Sequence, residues 1–176
     1  MQGKNGSGIW LHGLPLEQER DDYTKGCIAI NNTNIEDIKE KIDFKKTIVY
    51  INKEQYPELN QEDFPKILAK LFQWRAAWKQ SDIDTYLNFY NENFKRYDGM
   101  QLQEYKRYKK RVFAKNENKQ ITFTDINIIP YPKEGKEGLF LISFKEKYLS
   151  SSYQFDGEKE LYIQFIDGQM TILAEK

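Results

Sequence analysis

Between Phe113 and Ile121 the apolar residues of this chain change their period from that of a helix to that of a strand. Upstream, Phe64, Ile67, Leu68, Leu71, Trp74 and Trp78 recur every three or four residues, the spacing of one face of an α-helix. Ser81-Asp82 is placed to cap a second helix carrying Tyr86, Leu87, Tyr90 and Phe94, and Gln101 to Phe113 makes a third. Downstream, Ile121 to Ile129, Leu139 to Leu149, Leu161 to Ile166 and Met170 to Ala174 are β-rich, and Asp167-Gly168 is a two-residue hairpin signal. Three helices followed by four antiparallel strands predict an α+β domain in which a curved sheet wraps a helix.

A different chemistry precedes that domain. The only histidine, His12, and the only cysteine, Cys27, each sit beside a glycine, in His12-Gly13 and Gly26-Cys27. The segment between them, Leu14 to Lys25, is polar enough for a loop that could bring thiol and imidazole together. A thiol ionises near pH ~8.5 unless a base assists it. Imidazole is such a base, able to take the thiol proton and later return one to a leaving amine. Gly26 lacks a Cβ, so the amides of Gly26 and Cys27 could converge on a developing oxyanion. The plainer alternative makes Cys27 a small buried hydrophobe between isoleucines and His12 an ordinary histidine.

Gly8-Ile9-Trp10-Leu11-His12-Gly13, followed by Thr24-Lys25-Gly26-Cys27-Ile28-Ala29-Ile30-Asn31, resembles the signature of the YkuD-type L,D-transpeptidase family. The resemblance covers about Lys4 to Lys53. It implies Cys27 as nucleophile, His12 as base, the Gly13 carbonyl as the partner that orients the imidazole, Gly26 with Cys27 as oxyanion hole, and Thr24 and Lys25 as substrate contacts. Many members carry arginine two residues after the cysteine; here the residue is Ala29. Ala29 with Asn31 looks more like the branch that trims or detaches peptidoglycan peptides.

The chain has 176 residues, and its 27 Lys plus Arg equal its 27 Asp plus Glu. No global field therefore draws it to nucleic acid or to an acidic membrane. Lys106, Arg107, Lys109, Lys110 and Arg111 make the third helix basic, but a solvated helix face accounts for them better than nucleic-acid binding. One cysteine and one histidine fall short of a Cys/His zinc set, so neither a metal nor a cofactor is expected. Gly3 to Gly8 lacks the Gly-Lys-Ser/Thr ending of a phosphate loop and reads as a turn before the strand Ile9-Trp10-Leu11. No apolar run reaches the roughly 18 residues of a membrane span.

Ile35, Ile38 and Ile42 predict a short amphipathic helix over Ile35 to Ile42, and Thr47 to Ile51 a strand. Asn52 to Asp63 is polar and holds Pro57, which makes it the boundary: residues 1–52 form the end of a catalytic domain, 53–63 a linker and 64–176 a second domain. In the resembled family the histidine and cysteine come late, so Met1 is expected to be internal to a longer protein. The preceding part would hold most of the catalytic sheet and an export signal.

The layout of 64–176, with Trp74, Trp78, Asp82, Tyr86, Tyr90 and Phe94 at their spacing, resembles the nuclear transport factor 2-like fold, three helices packed on a curved antiparallel sheet. In such a cone Trp74, Trp78, Tyr86 and Tyr90 could line a pocket or a homodimer surface, although an aromatic stripe is more often core. Joined, the two halves are similar to the periplasmic peptidoglycan-trimming enzymes that set cell shape. That similarity implies cleavage of the terminal D-alanine from tetrapeptide stems through a thioester, or transfer of the stem to an amine; sequence does not separate the two outcomes. The competing reading is a non-catalytic binding or dimerisation module, since one fold serves many roles.

Overall fold

The computed structural model describes residues 10–14, 27–42, 61–131 and 137–176. Thr24, Lys25 and Gly26, the strand expected over Thr47 to Ile51 and the linker residues 53–60 lie outside them. Chain contacts divide the protein into two units, Met1–Lys53 and Glu54–Lys176.

In the first unit, strands β1 (Leu11–His12) and β2 (Ile28–Ala29) pair in parallel, and helix α1 (Asn32–Lys39) follows at once. The helix begins three residues before the expected Ile35 and stops before Ile42. Asn31 is still extended, at ψ 143°, and its carbonyl accepts from Ile35 N at 3.0 Å. The first turn is therefore built by the asparagine-rich segment rather than merely preceded by it.

In the second unit, helix α2 (Asp63–Gln80) buries Ile67, Leu71, Trp74, Ala77 and Trp78, the stripe read from the spacing. It ends where Ser81 turns left-handed at φ 60°. Asp82 then caps α3 (Ile83–Leu87), its carboxylate accepting from Thr85 N at 3.1 Å.

Here the expectation of a second helix through Phe94 fails: Tyr90–Arg96 is strand β3. Residues 86, 90 and 94 are four apart, and four suits one face of a strand as well as of a helix. What decides is pairing, since β3 lies parallel to β7 with Tyr90 opposite Ile172. Helix α4 (Leu102–Ala114) follows and buries Leu102, Tyr105, Lys109 and Phe113.

Strands β4 (Gln120–Pro130), β5 (Leu139–Leu149), β6 (Gln154–Ile166) and β7 (Gln169–Glu175) complete a sheet of order β3-β7-β6-β5-β4. The sheet is therefore mixed, four antiparallel strands with β3 added in parallel at one edge, rather than wholly antiparallel. Strand β6 also starts seven residues before the expected Leu161. Its first half is polar apart from Phe155, which hides the period, yet Lys145↔Glu158 and Lys147↔Asp156 face each other as opposite charges across the ladder. Asp167 and Gly168 take φ 50° and 74°, the left-handed pair a type I′ hairpin needs.

The helices and the inner face of the sheet close over one apolar core. Alternate residues of β5, Phe140, Ile142 and Phe144, meet Trp74, Tyr86 and Phe113 there, and Phe123 lies against Phe144 with ring centroids 4.3 Å apart. Beyond Phe144 the same inner face carries Glu146 and then Tyr148.

Candidate functional site

The first unit holds the His12 and Cys27 pair. The β1–β2 ladder joins Ile28 N to Trp10 O at 2.8 Å and Ile30 N to His12 O at 3.0 Å, and sets His12 opposite Ala29. Side chains alternate between faces, and that alternation, carried one residue back from β2, would put Cys27 on the face of His12. Strands ~4.8 Å apart and a two-residue offset of ~6.6 Å put their Cα atoms roughly 8 Å apart. That separation lets two side chains on one face approach each other.

His12 Nδ1 lies 2.8 Å from the Gly13 carbonyl oxygen. A carbonyl only accepts, so Nδ1 carries the proton and Nε2 of the neutral ring keeps its lone pair. A Cβ at Gly13 would meet the side-chain oxygen of Asn32, the first residue of α1, so a larger residue there would oblige that side chain to move. Both His12 and Cys27 are half-buried. The candidate oxyanion residue Gly26 and the candidate substrate contacts Thr24 and Lys25 are outside the described residues.

The second unit holds a cavity of about 670 Å³. Trp78 lines it, whereas Trp74, Tyr86 and Tyr90, also candidates for the lining, lie in the core with relative exposures of 0%, 0% and 7%. Their hydroxyls nevertheless bear on the cavity. Tyr90 donates to Glu175 Oε2 at 3.2 Å and Tyr105 to Glu175 Oε1 at 3.0 Å, while Tyr86 lies 2.7 Å from the Tyr90 hydroxyl and 3.0 Å from that of Tyr105. Glu175 is part of the cavity wall, so two buried tyrosines, themselves bonded to a third, fix a carboxylate there. Burial first, and the Glu175 charge second, push all three phenols well above their usual range.

Nine further charged side chains line the wall, and four of them, Lys109, Glu146, Lys159 and Lys119, shape its less exposed part. Lys109 is 8% exposed, and its ammonium lies 4.8 Å from the Trp78 ring centre, 5.2 Å from those of Tyr86 and Tyr105 and 5.9 Å from that of Tyr108. Burial lowers it to about 8 despite the attraction of Glu175. Glu146, 3% exposed, is pushed up by burial, and Lys159, 3.7 Å away, opposes that rise. Lys159 also stands 4.0 Å from Glu175. Lys119, on another part of the wall, donates to Ser81 Oγ and is held below its usual range by burial.

None of these charges was singled out from sequence, yet two left a trace there. Lys109 occupies a stripe position of α4 between Tyr105 and Phe113, and Glu146 interrupts the apolar alternation of β5. Reading all the lysines of α4 as a solvated face was wrong for Lys109, which points inward. Among the described residues no helix is long and apolar enough to cross a membrane.

The Cds6 C-terminal NTF2-like domain family matches residues 66–176, and the L,D-transpeptidase catalytic domain matches residues 1–51. Among solved structures, the helical cell shape determining protein Pgp2 from Campylobacter jejuni is 43% identical, with a TM-score of 0.78, over 99% of this chain and 63% of that one. A single-residue variant of Pgp2 aligns at 42% identity and a TM-score of 0.80, over 99% and 62% of the two chains. Bd1075 from Bdellovibrio bacteriovorus is 25% identical, with a TM-score of 0.72, over 98% and 62%. The chain thus spans a little under two thirds of the length of each of these structures. No curated protein matches it significantly.

Proposed function

The chain belongs to the family of the Cds6 C-terminal NTF2-like domain, and from that premise, with the L,D-transpeptidase match ahead of it, we propose that the protein trims peptidoglycan stem peptides as a periplasmic cysteine L,D-carboxypeptidase. The observation that supports the reading is the His12 to Gly13 hydrogen bond on a strand paired in parallel with the strand that directly follows Cys27. A base needs its lone pair directed away from the group that orients it, and this tautomer supplies that.

In the proposed reaction Nε2 of His12 takes the Cys27 proton, and the thiolate sulfur attacks the carbonyl carbon before the terminal D-alanine of a tetrapeptide stem. The oxyanion gathers hydrogen bonds from the Gly26 and Cys27 amides. The C–N bond breaks, the D-alanine nitrogen takes the proton from His12, and a thioester remains. Water, deprotonated by the same imidazole, then hydrolyses the thioester to a tripeptide stem; an amine from a second stem in place of water gives a crosslink. Thr24 and Lys25 contact the substrate in this scheme. Residues 1–52 supply this catalytic end, 53–63 link it, and 64–176 carry the cone.

The test is to incubate the full-length protein with purified tetrapeptide muropeptides and follow their masses. Tripeptide products support carboxypeptidase action, crosslinked dimers support transpeptidase action, and unchanged substrate contradicts both. The charged cavity favours a second reading, in which the protein acts as a binding or homodimerising module without catalysis. Binding without turnover by full-length protein is its signature.

A further inference from the structure

Lys109 and Glu146 are both more than nine-tenths buried and both face the same cavity, and among the described residues each leaves a hydrogen-bonding atom unpartnered. Among the described residues Lys109 forms no ion pair and no hydrogen bond; its contacts are the faces of aromatic rings. Glu146 Oε2 has no hydrogen-bond partner, and its nearest cation, Lys159 Nζ, stands at 3.7 Å, beyond hydrogen-bond length. A buried charged group with an unmade hydrogen bond costs stability, so a fold that keeps one of each sign at one cavity keeps them for something that enters.

We infer that the cavity binds an amino-acid zwitterion carried on a longer, neutral tail, with Lys109 receiving its carboxylate and Glu146 its ammonium. A purely anionic ligand would satisfy Lys109 while setting a like charge before Glu146 and Glu175, and a purely cationic one would do the reverse beside Lys109 and Lys159. A ligand bearing both charges satisfies both groups at once. The tail follows from size, because about 670 Å³ lies in the range of cavities that enclose ligands far larger than one amino acid. Tyr148, Tyr153 and Phe155 give the remaining wall an aromatic surface on which a neutral tail can lie. Tyr90 and Tyr105 have a part as well: by holding both oxygens of Glu175, they leave Glu146 as the buried wall carboxylate with an oxygen to offer.

This inference does not rest on the catalytic reading, and its test removes catalysis from view. Full-length protein carrying Cys27→Ala is titrated calorimetrically with Nε-acetyl-lysine, whose α-carbon bears the zwitterion and whose tail is neutral. Nα,Nε-diacetyl-lysine lacks the ammonium, Nε-acetyl-lysinamide lacks the carboxylate, and alanine lacks the tail. Nε-acetyl-lysine is expected to bind, and each of the other three at least about tenfold more weakly. Lys109→Met should erase the discrimination against the amide, and Glu146→Gln the discrimination against the diacetyl compound. The ligand comparisons need no cavity variant, so a variant that fails to fold leaves them standing. Equal affinity for the zwitterion and its diacetyl derivative, or no binding of Nε-acetyl-lysine at millimolar concentration, overturns the inference.

Discussion

His12 Nδ1 is held 2.8 Å from the carbonyl oxygen of Gly13, so the imidazole is oriented by the very next residue rather than by a distant side chain. The orienting group cannot be removed by substitution at Gly13, because every residue has a carbonyl. It can only be displaced, and the Asn32 side chain packed where a Cβ would be is what displacement would disturb.

On this arrangement the histidine itself is the informative position. His12→Gln keeps a hydrogen-bonding side chain but removes the proposed base, so iodoacetamide labelling of Cys27 near neutral pH should slow markedly in the full-length protein. Identical labelling rates for both proteins across pH 5 to 9 would separate His12 from the thiol.

The two tryptophans of α2 should part company. Trp74 is 0% exposed and stacks on Tyr86 with ring centroids 5.5 Å apart, so Trp74→Ala should cost about 3–5 kcal/mol in urea unfolding. Trp78 lies at the cavity, where truncation enlarges an existing space rather than opening a new one, and its cost should be smaller. Equal losses would contradict a difference set by the cavity.

A pH titration reads Lys109 directly. Burial holds it at about 8 against an ordinary 10.5, so between these values the unfolded chain binds more protons than the folded one. Stability should therefore rise with pH across that window, and Lys109→Met should lose the rise. The groups facing the ammonium are Glu175 from β7, Glu146 from β5, Lys159 from β6, Arg96 from β3, Tyr86 of α3, and Tyr105 and Tyr108 on its own helix. Lys119, also lowered, is common to both proteins, so the difference between their urea midpoints at pH 7 and pH 9 isolates Lys109. Parallel curves would contradict a depressed Lys109.

How much of this was legible in the sequence depended on whether a signal had one physical meaning. The stripe from Phe64 to Trp78 has only a helical reading, and α2 follows it. Tyr86, Tyr90 and Phe94 have two readings, and a parallel strand contact with β7, 80 or so residues away, chose the less local one. The first half of β6 had none, because its stabilising partners are charges on β5 rather than a buried face of its own. His12 and Cys27 were visible because each is the only residue of its type and each adjoins a glycine. Lys109 and Glu146 were legible only as polar interruptions of apolar periods, and an interruption names no cavity until the fold brings the two together.

The nucleophile is the point on which the proposed function stands. Wild-type and Cys27→Ala full-length proteins, incubated in parallel with tetrapeptide muropeptides, are compared by mass spectrometry for loss of one alanine residue from the stem, with thermal melts alongside. The account predicts conversion to tripeptide by the wild type, none by the variant, and superimposable melts, because the substitution removes a thiol and little volume. Turnover retained in the Cys27→Ala protein would contradict it.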